Sequence, residues 1–340
     1  MTIGNEQQLE DILSRPSEAD ARAMAALDGD LLILGVAGKM GPSLAHLARR
    51  AADAAGVKKR IIGVARFSTP AAEKQLNEWG IETIKADLLE PGVLAKLPDA
   101  GNVIHMAARK FGSTGDEGLT WAMNTFLPGL VAERYRDSRI VTFSTGNVYP
   151  LTPVLYGGPT ETHPTGPVGE YAQSALGRER MFQHFSKLYG TKVAILRLNY
   201  AVEMRYGVLL DIGTKIWNRC PVDLGMGHAN VIWQGDANSI TLRSFAHCGA
   251  PPFVLNMTGP ETVAVRWVAR KFGERFGFEP VLEGAESETA LLSNASLCQK
   301  LFGYPKVSVE QMIDWLAAWI ESGGGTLNKP THFETRDGKF

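Results

Sequence analysis

The segment Gly35-Val-Ala-Gly38-Lys-Met-Gly41 follows the apolar run Leu31 to Leu34 and leads into a helical pattern that opens at Pro42. Three glycines at this spacing, between a buried strand and a helix, leave the chain few folds. They let the backbone turn sharply and approach a bound group closely, and they leave the amide end of the helix open to an anion. Strand, glycine-rich turn and helix in that order suit the pyrophosphate of a dinucleotide. The same glycines also suit a tight strand-to-helix turn with no ligand.

The rest of the chain continues the pattern. Apolar runs of strand length recur at Ile61 to Ala65, Asn102 to Met106, Ile140 to Phe143 and Val193 to Arg197, separated by amphipathic stretches of helix length. This alternation predicts an α/β protein: a Rossmann-type, doubly wound parallel sheet with a smaller C-terminal α/β substrate domain. The 340 residues divide into a helical extension (1–30), a dinucleotide-binding domain (31–200, with 229–260 returning to it) and the smaller domain (201–228 and 261–340). In the extension, Ser17 and Asp20 are spaced as in a capping box, and the extension reads as a packing arm. The Pro- and Gly-rich stretch from Pro150 to Pro167 reads as a long loop on the active-site side.

Composition narrows the partners. Lys and Arg number 35 against 36 Asp and Glu, so no overall charge favours nucleic acid or an anionic membrane, and a small molecule is the expected partner. Cys220, Cys248 and Cys298 lie far apart, without the spacing of a disulfide framework or a zinc site, and fit a reducing cytoplasm. No basic start followed by an apolar stretch marks secretion, no run approaches a membrane span, and the scattered histidines predict no metal site.

The second strand bears on the cofactor. An NAD-binding fold usually ends this strand with an acid for the ribose 2′-hydroxyl. Here Ala65 is followed by Arg66, whose guanidinium suits a 2′-phosphate, so NADP is expected over NAD. A solvated surface arginine is the other reading.

Further landmarks share an order. Asp87-Leu88 follows the third strand, Val103-Ile-His105-Met-Ala-Ala108 ends the fourth, Asn124 sits on the next helix, and Phe143-Ser-Thr145-Gly-Asn-Val148-Tyr149 ends the fifth. With Tyr171 and Arg197-Leu-Asn199, this series resembles the extended short-chain dehydrogenase/reductases, the NAD-dependent epimerase/dehydratase family, from about Leu31 to Ile320. The resemblance implies cofactor contacts from Gly35, Gly38, Lys39, Met40, Gly41, Arg66, Asp87, Leu88, Met106, Ala107, Ala108, Lys110, Asn124 and Tyr171, with Asn124 in a structural role. It implies that Thr145 hydrogen-bonds a substrate oxygen while Tyr171 exchanges a proton as hydride moves. A homodimer is implied as well.

One position departs from the family. Residues four apart on a helix lie about 6 Å apart along its axis, and family members place a lysine four residues after the tyrosine; this chain has Ala175. Without that cation a phenol keeps its proton near neutral pH, which favours carbonyl reduction over phenolate-driven oxidation. Arg178, nearly two turns on, returns to the same face about 10 Å away, a marginal reach. Lys110, approaching from the loop after the fourth strand, is the better substitute. Thr145-Gly146-Asn147 replaces the Thr-Asp-Glu of sugar-nucleotide dehydratases, which disfavours dehydration. Arg205, Lys215 and Arg219 could meet a diphosphate but read better as a solvated face.

Two classes of function remain open: an NAD(P)-linked oxidoreductase on a sugar-like or polyol carbonyl, with a nucleotide-sugar epimerase as its variant, and a non-catalytic NAD(P)-binding sensor or scaffold.

Overall fold

The computed structural model describes residues 3–110, 112 and 115–339. Seven strands form one sheet: β1 Leu31–Leu34, β2 Ile61–Ala65, β3 Glu82–Lys85, β4 Asn102–His105, β5 Arg139–Thr145, β6 Lys192–Leu198 and β7 Phe253–Met257. Across the sheet they run β3, β2, β1, β4, β5, β6, β7, and every pairing is parallel. Parallel neighbours need crossovers, and helices on both faces bury the strands. Leu31 and Ile33 enter one core with Leu44 and Ala48, while Leu32 and Leu34 enter another with Val131 and Phe182, as a two-residue side-chain period requires. The edge strand β3 has no fully buried residue, so its polar sequence carries no apolar run.

Strand order reverses between β1 and β4, which opens a crevice above their carboxyl ends. The pairing of Leu34 with His105 brings the glycine turn against Met106 and Ala107. A Cβ on Gly35, whose φ is +93°, would lie 2.7 Å from the Ala107 nitrogen, and one on Gly41 would lie 2.0 Å from the Val36 oxygen. Glycine at these positions lets the turn close over β4 and the helix Gly41–Ala54 start against it.

A third core, away from the sheet, includes Ile212, Phe272, Ile313 and Leu316. Ile3, Leu9 and Leu13 of the extension join it, while Arg50 of the Gly41–Ala54 helix donates to the Asp11 carbonyl (3.0 Å) and Ser14 Oγ (2.9 Å). The extension thus contacts both this core and the Gly41–Ala54 helix. Its second helix, Glu18–Ala26, carries the Ser17–Asp20 capping box.

Beyond the helix Val309–Glu321 the chain runs back as a strap. Leu327 N–H donates to the Arg205 carbonyl (2.9 Å), Thr331 donates to Asp211 Oδ2 through its N–H (2.8 Å) and hydroxyl (2.6 Å), and Phe333 is 1% exposed. Arg336 donates to the Thr289 carbonyl (2.8 Å). Gly338 meets Val168 and Gly169, where the Tyr171 helix begins.

Candidate functional site

The strand ends of β1, β4, β5 and β6 and the helices Gly41–Ala54 and Gly169–Tyr189 converge on a cavity of about 600 Å³. Gly38, Lys39 and Met40 line it from the turn, Met106, Ala108 and Lys110 from the end of β4, and Thr145, Tyr171 and Arg178 from the far side. Gly35, Gly41 and Ala107 shape the turn beneath. The N-cap of the Gly41–Ala54 helix is Met40, whose side chain makes no capping bond, so the positive end of the helix is left for an anion. Ser43 braces this turn: its hydroxyl donates to the Met40 carbonyl (3.1 Å) and accepts from Gln234 (3.0 Å) and Asn238 (2.9 Å). The cradle fits a dinucleotide pyrophosphate.

Arg66, Asp87 and Leu88 lie outside the cavity lining, at the ends of β2 and β3. Arg66 is exposed, with Nη1 3.9 Å from Asp87 Oδ2, and Leu88 is buried. Asn124 stands behind the cavity wall. Its amide accepts from Arg109 N–H (2.8 Å) and donates to the Arg109 carbonyl (2.8 Å) and Ser174 Oγ (3.0 Å).

β5 delivers Thr145 to the cavity. Its hydroxyl donates to Asn147 Oδ1 (3.0 Å), accepts from Asn147 N–H (3.2 Å) and hydrogen-bonds the Tyr171 phenol. A Cβ on Gly146 would lie 1.8 Å from Asn199 Oδ1, so an acid here is incompatible with the packing of Asn199. Tyr171 lies in the first turn of its helix, half-buried.

Ala175 is 0% exposed and packs with Val148 and Tyr149. Arg178, three residues further on, lines the cavity. Its Nη1 donates to the Phe143 carbonyl (2.7 Å) and its Nη2 to Asn124 Oδ1 (2.9 Å), while its buried Nε has no hydrogen-bond partner among the described residues. Helical side chains lean toward the N-terminus, the direction in which Tyr171 lies along this helix. Burial pushes the Tyr171 phenol above its ordinary pKa; the Arg178 charge opposes this, followed by the Thr145 hydrogen bond. Burial lowers the pKa of Arg178, and Tyr171 and Glu179 counter it. Lys110 Nζ lies 5.8 Å from the Tyr171 ring centroid and 3.4 Å from the Thr331 carbonyl.

Behind Ala175 lies a buried ion pair. Arg197 binds Glu179 through Nε (2.9 Å) and Nη2 (2.7 Å), and Glu179 also accepts from Ser144 (2.6 Å). Arg197 Nη1 donates to the Tyr149 hydroxyl (2.6 Å). Arg205, read from sequence as solvated, is instead held by Glu203 (3.1 Å) and Glu10 (2.7 Å). Arg219 covers the Phe278 ring at 3.2 Å. Glu10, Tyr206, Lys329 and Thr331 also line the cavity. Sequence reading missed these four because they arrive from the extension, the smaller domain and the strap. Among the described residues no group of His, Cys, Asp and Glu could hold a metal ion, and no helix is long and apolar enough to cross a membrane.

A parallel sheet with this strand order, and a tyrosine and a threonine meeting above its switch point, define an extended short-chain dehydrogenase/reductase. The family model for the NAD dependent epimerase/dehydratase family matches residues 31–202, and the chain belongs to that family. A comparison with curated proteins found no match. Among solved structures, a UDP-glucuronic acid 4-epimerase variant from Bacillus cereus, in complex with a 4-deoxy-4-fluoro analogue of UDP-glucuronic acid and NAD, is similar at 17% identity. It covers 86% of this chain and 99% of its own, with a TM-score of 0.73. A UDP-glucose 4-epimerase from Thermotoga maritima with UDP-glucose has 18% identity, 86% and 99% coverage and a TM-score of 0.70. An epimerase from Methanothermobacter thermautotrophicus has 20% identity, 90% and 96% coverage and a TM-score of 0.70.

Proposed function

We propose that this chain is an NAD(P)-dependent oxidoreductase that reduces a carbonyl on a sugar-like or polyol substrate, with Tyr171 as proton donor and Arg178 in place of the family lysine. The observation that supports the reading is that Arg178, Thr145 and Tyr171 line one cavity with the glycine-rich turn, and that the Arg178 charge acts on the Tyr171 phenol. The turn and the N-terminus of the Gly41–Ala54 helix hold the cofactor's diphosphate, Asp87 and Leu88 flank its adenine, and Met106, Ala107, Ala108 and Lys110 face its nicotinamide half. When bound, the dinucleotide supplies the hydride.

Tyr171 donates its phenolic proton to the carbonyl oxygen as negative charge develops there, and Thr145 steadies the same oxygen by a hydrogen bond. Arg178 stabilises the phenolate left behind, which takes its next proton from solvent. A phenol whose pKa is raised by burial is protonated at neutral pH, as a general acid must be.

The finer parts of the reading have separate supports. Exposed Arg66 at the end of β2, a guanidinium where NAD-binding folds carry an acid, supports NADP over NAD. Phe126 and Leu188, 59% and 56% exposed on helices of one face, support a homodimer that would cover them. Unpaired Cys220, Cys248 and Cys298 support a cytoplasmic setting.

Titration with NADPH, NADP, NADH and NAD, followed by a screen of keto-sugars and keto-acids, tests this function. Stoichiometric loss of NADPH supports the reductase, whereas inverted substrate stereochemistry without net cofactor change supports the epimerase that the similar structures favour. Binding without turnover leaves a sensor, and no dinucleotide binding at millimolar levels sinks all three.

A further inference from the structure

Tyr171, Tyr200 and Tyr206 all line the cavity. Tyr171 hydrogen-bonds Thr145, and Lys39 Nζ covers the Tyr206 ring at 3.3 Å. Tyr200 has a different setting. It follows β6 closely, and Leu198, the last residue of β6, pairs with Thr145 at the end of β5, so the parallel sheet delivers Tyr200 next to the proposed carbonyl site. Its backbone has a φ of +39°. Bulky residues rarely enter that region, and such a conformation persists where the surroundings over-determine it, commonly at functional sites. Here the Tyr200 carbonyl accepts from Ile232 N–H (3.1 Å), Asn199 N–H donates to the Met257 carbonyl (3.1 Å), and the Thr258 hydroxyl donates to the Asn199 carbonyl (3.1 Å). The Tyr200 ring packs against the core of Phe272 and Leu316.

The Tyr200 hydroxyl, in contrast, has no hydrogen-bond partner among the described residues. Backbone and ring are held while the polar end is left over, which is how a side chain is set when its partner is a ligand. Burial, then the charges of Glu334 and Tyr171, push the pKa of this phenol up, so it is neutral through the physiological range and serves as donor or acceptor. We propose that Tyr200 determines specificity by hydrogen-bonding a hydroxyl on a carbon adjoining the carbonyl that Tyr171 and Thr145 engage. The substrate class is a hydroxylated ketone or aldehyde of the keto-sugar type, and a plain ketone of the same length is disfavoured. A neutral hydrogen bond of this kind corresponds to roughly three- to tenfold in affinity. This inference rests on the carbonyl-reducing reading above.

The test is a ligand-observed NMR titration of the NADP-saturated full chain with L-erythrulose, 1-hydroxybutan-2-one and butan-2-one, which share a carbon skeleton and lose hydroxyls in that order. Affinity is expected to fall in the same order, with butan-2-one at least threefold weaker than 1-hydroxybutan-2-one. Tyr200→Phe keeps the ring and is expected to bring 1-hydroxybutan-2-one within twofold of butan-2-one. The NADP dissociation constant should change less than twofold in that variant, and the urea midpoint should stay at the wild-type value. A wild-type series without this order, no binding of any of the ketones, or a Tyr200→Phe protein that keeps the wild-type series overturns the inference. A parallel loss of NADP affinity also overturns it, since the hydroxyl would then serve a ribose of the cofactor, as does a lowered midpoint, which would make the hydroxyl structural. If the wild type binds no dinucleotide, the cofactor reading fails by itself, and the same ketone series on the apoprotein decides the role of Tyr200.

Discussion

The Arg178 guanidinium and the Tyr171 phenol line one cavity from the same helix, and the charge of the first opposes the burial that raises the pKa of the second. Phe143 and Asn124 fix the guanidinium at 2.7 and 2.9 Å. The guanidinium thus comes from the seventh residue after the tyrosine on the same helix, while Ala175 packs around Tyr149.

Tyr171→Phe removes the proton donor and little volume. Turnover is expected to fall by roughly 10²- to 10⁴-fold, the usual contribution of a general acid, with NADPH affinity changed less than threefold. Steady-state kinetics beside a fluorescence titration checks both.

Arg66→Ala removes the side chain assigned to the 2′-phosphate. A bidentate charged contact of about 1.5 to 3 kcal/mol implies NADPH binding weaker by roughly tenfold or more, with NADH binding almost unchanged. Paired titrations decide it; equal losses for both cofactors count against the NADP preference.

Glu179→Ala strands the Arg197 guanidinium, which is almost wholly buried. Breaking a buried pair on one side costs about 3–5 kcal/mol. Urea unfolding should show the midpoint falling with little change in slope, and a wild-type midpoint would contradict the structural role of the pair.

Local patterns were legible in the sequence. Leu31–Leu34 and Ile61–Ala65 are strands with those bounds, and Ser17 and Asp20 form their capping box, because apolar runs and caps depend on neighbours in the chain. The turn, Thr145 and Tyr171 were found through their order, and the structure brings them to one cavity. The sequence does not show where Arg178 ends, because its position depends on acceptors from β5 and from the helical segment that carries Asn124. The strap and Glu10 were missed because nothing local marks Lys329 or Glu10 as lining a cavity; only tertiary packing brings them there.

The measurement that bears most directly on the Tyr171–Arg178 pair is ultraviolet difference titration of the phenol itself, read as wild type minus Tyr171→Phe. Burial raises the phenol and the Arg178 charge lowers it, so Arg178→Leu is expected to move its titration to higher pH and Arg178→Lys to bring it part of the way back. A Tyr171 titration that is the same in wild type and Arg178→Leu would contradict the account.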